Sequence, residues 1–325
     1  MSFQASRFIR STSDERRHRV GGTKIEARLF SQTWETIELR RIATPTDSLA
    51  AFIDALGQQV RWLEERSGHA GSLPVGIALP GLVDPATGIA FTSNLPVSGE
   101  DVGAHLTATI GRRLPIMNDC QAFALSESNG GAGDGFNTVV GLIMGTGIGA
   151  GLCGAGKLTK RMNGSALEVG HVGVPARTLL PLNLPLWPCG CGKQGCFERY
   201  VSGSGLAAIG QYRSGRPWKA EEIVSAASSG DVQAKAVMAD WAAIAAELLF
   251  EIQIHHDPDC IVIGGGLSAI PGILDILEKG LSAIPLGNMR PPVLKLAIHG
   301  DSSGARGAAI LADGTPAAIA TETSR

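Results

Sequence analysis

Three thiols stand two and five positions apart in the run Pro188-Cys189-Gly190-Cys191-Gly192-Lys193-Gln194-Gly195-Cys196, and His171 lies eighteen residues before the first of them. Zinc takes four soft or borderline ligands in a tetrahedron, and three thiolates with one imidazole form one of its closed structural sets. Gly190, Gly192 and Gly195 let the backbone turn tightly enough for Cys189, Cys191 and Cys196 to face one ion together with His171. Unpaired cysteines acting as small apolar side chains are the plainer alternative, but they seldom come at this spacing with glycines between them. Cys120, Cys153 and Cys260 stand singly among apolar or small residues and read as inert core.

Two glutamates bracket the metal ligands, as Glu168-x-x-His171 and Cys196-x-Glu198. Exposed glutamates are ordinarily solvated surface. Tied to a metal-pinned loop, these two are held in place, as a site for a polyol requires. A further carboxylate, Asp119, follows Asn118 at the end of an expected strand and precedes a helix expected to start near Gln121. That places it at a cleft edge beside a helix N-terminus, and a plain helix cap explains the same fragment.

The run 142–152 reads strand, turn, strand, with Gly145, Thr146, Gly147 and Gly149 in the turn. Backbone amides in such a turn face phosphate oxygens, and Thr146 adds a hydroxyl donor. Val20-Gly21-Gly22-Thr23-Lys24 repeats the plan near the N-terminus, so two hairpins are available to clamp a triphosphate. Each alone also fits an ordinary hairpin turn. Neither the GxxxxGK[ST] loop nor a complete GxGxxG opening a helix is present.

The elements that must position these residues follow from periodicity. Residues 24–30 and 36–42 alternate as hairpin strands, and 47–65 carry a helical apolar repeat. Residues 75–79 and 114–117 read as strands, and so do 139–144. Asp231 caps a long helix whose buried stripe includes Met238, Trp241, Ala245, Leu248 and Ile252. Strand 260–263 runs into Gly264-Gly265-Gly266. Two halves, each opening with an apolar strand and a glycine turn, imply duplicated α/β lobes around a cleft.

A chain of 325 residues, 44% hydrophobic and 18% charged, has enough apolar material for a large core in two lobes. A net charge of −2 without a long basic run argues against a nucleic-acid surface. No apolar run approaches the roughly 20 residues that span a bilayer, and the N-terminus lacks a signal-peptide core. The expectation is a cytoplasmic protein with reduced thiols.

Taken together, IALPGLVD, NDCQAFALSE, GLIMGTGIGAG, EVGH, CGCGKQGCFERYVSG and DPDCIVIGGGLS resemble the ROK family of sugar kinases and repressors, from about residue 20 to 311. Within it the chain is most similar to bacterial N-acetylglucosamine kinases. The resemblance implies a two-lobed α/β fold of the sugar kinase/Hsp70/actin (ribonuclease H-like) class with a structural zinc loop. Residues 1–118 would form a small lobe, completed by a C-terminal helix at about 308–322, and 119–307 the large lobe. It implies ATP, with Mg²⁺, between the lobes and a sugar at the cleft bottom. Asp119 would accept a proton from the sugar hydroxyl, with Gly81, Asn94, Asn118, Glu168, His171 and Glu198 around the sugar. One imidazole nitrogen of His171 would serve zinc and the other the sugar. Gly21, Gly22, Thr23, Lys24 and the 145–149 turn would meet the phosphates, and Gly264, Gly265 and Gly266 the adenosine. A homodimer is also implied.

The pattern breaks at Arg19. The family carries Asp-x before the first glycine pair, and there the aspartate helps organise Mg²⁺ and the transferring phosphoryl group. Here the preceding strand place reads Asp14-Glu15-Arg16-Arg17-His18-Arg19, six polar residues where a central strand should be apolar. Three accounts stand open: a sugar-binding protein with weak catalysis, a kinase in which another carboxylate holds Mg²⁺, and a reading-frame error. The codons for residues 15–19, read one base later, can spell Ser-Gly-Gly-Ile and an acidic residue. Leu167, where the family usually has glycine, is a smaller departure. The implied activity is ATP-dependent phosphorylation of a hexose, in the first place N-acetyl-D-glucosamine at its 6-hydroxyl, with fructo-, manno- or glucokinase as alternatives. The family's repressors carry an added DNA-binding domain of at least about 50 residues, and only twenty residues precede Gly21.

Overall fold

The computed structural model describes residues 7–13, 23–284 and 286–314, with the backbone alone for 7–13 and 23. Alternating residues form β2 (Thr23–Phe30) and β3 (Thr36–Ala43), which pair antiparallel with Lys24 opposite Ala43, after β1 (Arg7–Ser13). Helix α1 (Leu49–Ser67) is capped by the Ser48 hydroxyl on the Ala51 amide at 3.2 Å and stopped by Gly68 at φ 72°. Strand β4 (Val75–Leu79), the short hairpin β5 (Leu82–Val83) and β6 (Ala90–Phe91), helix α2 (Val102–Ile110), β7 (Ile116–Asn118) and α3 (Asp119–Glu127) follow.

The chain then forms β8 (Thr138–Met144), β9 (Ile148–Gly154) and β10 (Lys157–Leu158). Helices α4 (Ala176–Leu182), α5 (Glu198–Val201), α6 (Gly203–Ser214), α7 (Ala220–Ser228) and α8 (Val232–His256) come next. Strand β11 (Cys260–Gly264), helix α9 (Ile273–Ser282), β12 (Val293–Leu296) and α10 (Ser303–Asp313) complete the described chain.

Contacts divide it into two units, the described residues of Met1–Asn137, Gly151–Ala166 and Ile298–Arg325 in the first, and Thr138–Ala150 with Leu167–Ala297 in the second. In the first unit the strand order is β3-β2-β1-β4-β7, with β1 antiparallel to β2 and parallel to β4. One sheet face buries Ile25, Ala27, Leu29, Val75, Ile77 and Leu79 against Phe52, Leu56, Val60 and Leu63 of α1. The other packs Phe30, Ala78 and Met117 with α3 and α10 through Ala122, Leu125, Ala305, Ala308 and Ala309.

Two sequence expectations differ from the structure here, and one lies outside the described residues. The central strand of the described sheet is Arg7–Ser13, and residues 14–19, where the family pattern breaks, lie outside the described residues together with Gly21 and Gly22. The units do not part at 118/119, because the apolar face of α3 is buried on the sheet of the first unit and takes residues 119–137 with it. Among the described residues the last helix is Ser303–Asp313, starting before 308, and residues beyond 314 lie outside the described ones. Gly304 and Gly307 weaken its helical signal, yet a Cβ on Gly307 would stand 1.7 Å from the Ala122 carbonyl oxygen. Close packing of α10 on α3 overrides propensity.

In the second unit β8, β11 and β12 run parallel, with Cys260 opposite both Val139 and Val293. All five residues of β11 are buried, as expected for a strand covered on both faces. Asp231 caps α8 on the Ala234 amide at 2.8 Å. Trp241 is buried on α8, and its indole N–H donates to the Val201 carbonyl at 3.0 Å. Met238 is only half-buried, and Val237 takes the interior place beside it.

Glu127 is fully buried, and its carboxylate accepts from the Ala132, Ile298 and His299 amides and, at 2.6 Å, from the Ser303 hydroxyl. It joins the end of α3 to the start of α10. Glu127→Leu leaves these donors without an acceptor, each costing about 1–3 kcal/mol. We expect a loss of at least about 3 kcal/mol in urea unfolding, and a smaller loss for Glu127→Gln.

Candidate functional site

In the first unit Asn118 and Asp119 divide the labour at the start of α3. Asn118, 6% exposed, closes β7, and its carbonyl oxygen accepts from the amides of Cys120 at 2.8 Å and Gln121 at 3.3 Å. Its side-chain nitrogen donates to the Gly81 carbonyl at 2.7 Å, and Gln121 returns a capping contact to the Asn118 amide. The cap is therefore Asn118, and the helix begins two residues before Gln121. Asp119 occupies its first position, half-buried, with the Cys120 amide 2.9 Å from its carboxylate. Asn94 is exposed in the loop after β6. Lys24 is exposed on β2, next to Thr23 at the strand's start.

The second unit gathers the expected metal ligands. The ligand atoms of His171, Cys189, Cys191 and Cys196 all lie within 4.8 Å of one another. Zn–S and Zn–N bonds of about 2.3 and 2.0–2.1 Å in a tetrahedron put two thiolates about 3.8 Å apart, and a thiolate and an imidazole nitrogen about 3.6 Å apart. Cys191 Sγ and Cys196 Sγ are 3.7 Å apart, and Cys189 Sγ is 3.6 Å from His171 Nδ1. The four residues fit zinc in both spacing and donor set. Nδ1 faces the thiols, which leaves Nε2 as the nitrogen for another partner. Of the three glycines in the loop, Gly192 and Gly195 take positive φ, 85° and 72°.

Cys189 and Cys196 are buried, whereas Cys191 is exposed. Without a metal, burial foremost pushes the Cys196 thiol up to about 12, while the Lys193 backbone N–H holds Cys191 below the ordinary thiol value. A closed set of four leaves no open position, so the ion would order the loop and orient His171. Cys153 and Cys260, both buried, have thiols raised by desolvation to about 12 and about 11, as suits inert core. Cys120 is half-buried on α3.

Around this loop lie the other expected residues. Glu168 is exposed, and its carbonyl accepts from the His171 amide at 3.0 Å. Glu198 opens α5, half-buried, and its Oε2 accepts from the Ile148 amide at 3.0 Å. The 145–149 turn closes with the Gly145 amide on the Gly147 carbonyl at 3.0 Å, and Thr146 is exposed at its tip. Gly264 ends β11, and Gly265 and Gly266 are exposed beyond it. The sequence reading missed Gly203, whose amide donates to the Gly145 carbonyl at 2.8 Å. It also missed Gly170, whose place inside Glu-Val-Gly-His marked it for close approach.

The ROK family model matches residues 19–315. The chain belongs to the ROK family. An N-acetylgalactosamine kinase of Shewanella sp. (strain ANA-3) is 39% identical over 304 residues, 93% of this chain and 98% of the relative. An N-acetyl-D-glucosamine kinase of Escherichia coli (strain K12 / DH10B) is 39% identical over 295 residues, 90% and 97%. A ROK family glucokinase from Streptomyces griseus, solved with glucose and AMPPNP, superposes at TM-score 0.74 with 27% identity, covering 96% of this chain and all of its own. The ROK hexokinase from Thermus thermophilus gives 0.76 at 26%, covering 94% and 97%. The fold is thus of the sugar kinase/Hsp70/actin class. The expectation of a membrane-free protein meets one fact: among the described residues no helix is long and apolar enough to cross a membrane.

Zinc binding must displace protons from thiols, so affinity rises with pH. We expect about one zinc per chain by elemental analysis, and a Kd from chelator competition that falls between pH 6 and 8 by about tenfold per unit for each proton displaced. Cys196→Ser should lose the ion, and Cys191→Ser should weaken it.

Proposed function

We propose that this protein is an ATP-dependent hexosamine kinase, transferring the γ-phosphoryl group of Mg·ATP to the 6-hydroxyl of N-acetyl-D-glucosamine. The observation that carries this reading is 39% identity to two N-acetylhexosamine kinases over at least nine-tenths of the chain. N-acetyl-D-galactosamine is the second reading, supported by the Shewanella relative. Glucose, mannose and fructose are the remaining candidates.

Asp119 is the base in this reading. Asn118 caps α3 and so sets the carboxylate at the first helical position. The sugar hydroxyl gives its proton to Asp119 as its oxygen bonds to the γ-phosphorus, the bond from that phosphorus to the β-phosphate bridging oxygen breaks, and ADP leaves. Phosphoryl transfer asks the protein chiefly for positioning and charge neutralisation. Gly81, Asn94, Asn118, Glu168, Glu198 and the Nε2 edge of His171 serve the sugar. Gly21, Gly22, Thr23, Lys24, Gly145, Thr146, Gly147 and Gly149 serve the phosphates, and Gly264, Gly265 and Gly266 the adenosine. Mg²⁺ arrives with the nucleotide and neutralises its charge. A homodimer in the cytoplasm completes the reading, with sedimentation velocity as its check.

A coupled ADP-release assay against these five sugars and N-acetylmannosamine tests the reading. Turnover preferring an N-acetylhexosamine supports it, and preference for glucose or fructose moves the assignment. Asp119→Asn should lower kcat by about a hundredfold to ten-thousandfold while sugar affinity by calorimetry stays within a few fold; retention of most of the rate removes Asp119 as base. Binding without turnover would locate the defect at Arg19, and resequencing the gene around codons 14–19 would separate a frame error from a true substitution.

A further inference from the structure

Ile148 is gripped on both sides of its backbone by the two segments that carry metal ligands. Its N–H donates to Glu198 Oε2 at 3.0 Å, and Glu198 lies two residues after Cys196. Its carbonyl oxygen faces Gly170, the residue before His171, so closely that a Cβ there would stand 2.3 Å away. A Cβ on Gly147 would in turn stand 2.7 Å from Glu198 Oε2, so the turn and the carboxylate are fitted to each other. The two gripping segments are themselves joined. The Phe197 amide donates to the Val172 carbonyl at 2.9 Å, the Val174 amide donates to the Gly195 carbonyl at 2.8 Å, and Gly173 bridges Cys196. Cys196 Sγ lies 3.5 Å from the His171 carbonyl oxygen. Beyond Glu198, Val201 is anchored by the buried Trp241 indole, so α5 has a fixed seat.

We infer that Glu198 is a positioning residue for the 145–149 glycine turn, and that a metal held between His171 and Cys196 keeps this grip on Ile148 closed. The turn's shape, and through it nucleotide affinity, then depends on a loop that would otherwise be assigned to the sugar alone. The chemistry is a backbone amide held by a carboxylate, with no covalent step. The nucleotide consequence rests on the kinase reading, whereas the grip on Ile148 does not.

The test is amide exchange read residue by residue in the full zinc-loaded protein, in the same protein stripped with a chelator, and in Glu198→Ala and Glu198→Gln. Glu198→Ala and metal removal should each speed exchange at Ile148 at least tenfold and raise the Kd for Mg·ADP several-fold by calorimetry. Glu198→Gln, which keeps an oxygen acceptor, should restore both. Steady-state kinetics should show KM for ATP rising more than that for sugar. Unchanged exchange at Ile148 in Glu198→Ala overturns the inference, and so does an equal rise throughout α8, which would mean general loosening. Nucleotide affinity untouched by metal removal overturns the link to the metal. Should no sugar be phosphorylated, exchange and Mg·ADP binding still decide the matter, so the two readings fail separately.

Discussion

Three thiols on a loop with three glycines and the imidazole of His171 from an earlier segment, their ligand atoms all within 4.8 Å of one another, form the constraint on which the shape of this part of the second unit turns. Ordering the eight residues 189–196 costs about 8–16 kcal/mol in backbone entropy, at about 1–2 kcal/mol each. A structural zinc ion returns about 10–16 kcal/mol in small peptide sites, the same magnitude. The loop's own hydrogen bonds and the seat of Tyr200, whose hydroxyl donates to the Pro185 carbonyl at 2.7 Å, contribute less than either. An ion held by these four residues would therefore offset most of the cost of ordering this loop. Glu168 and Glu198 lie three and two residues from His171 and Cys196 and would share that dependence.

The first unit is held by different physics. Its sheet is covered on one face by large side chains of α1 and on the other by small ones of α3 and α10. Large residues fill space, whereas alanine and glycine bring backbones together, and a Cβ on Gly76 would stand 2.0 Å from the Ala308 carbonyl oxygen. Close approach leaves no room for water, so the polar groups at the helix ends need internal partners. Glu127 supplies acceptors for four of them, and Arg306 donates to the Ser126 carbonyl at 2.8 Å. The same close packing presents the start of α3, and with it Asp119, in one defined geometry.

What was legible in the sequence followed from period and spacing. Strand 75–79 was read at the bounds observed, and Asp231 was identified as the cap of α8, because uninterrupted apolar runs and cap chemistry are local signals. The grouping of Cys189, Cys191 and Cys196 was legible for the same reason, since spacing along the chain limits which thiols can meet. The family's motifs, spread over most of the chain, placed the fold class that the solved ROK structures share.

Tertiary structure alone decided the rest, because it turned on contacts between residues distant in sequence. Helix α10 forms across Gly304 and Gly307 since packing on Ala122 outweighs glycine's cost in a helix. Residues 119–137 join the first unit because α3 buries its apolar face there, which no local pattern encodes. Of the adjacent pair Asn118 and Asp119, both suited to capping, only the fold showed that asparagine takes the cap and aspartate the first helical position. Likewise Glu198 read as a residue for sugar alone, since its bond to Ile148 spans fifty residues. Sequence specified which groups are present and which local elements they favour; which of them meet was settled by burial, where each close contact excludes water and admits one arrangement.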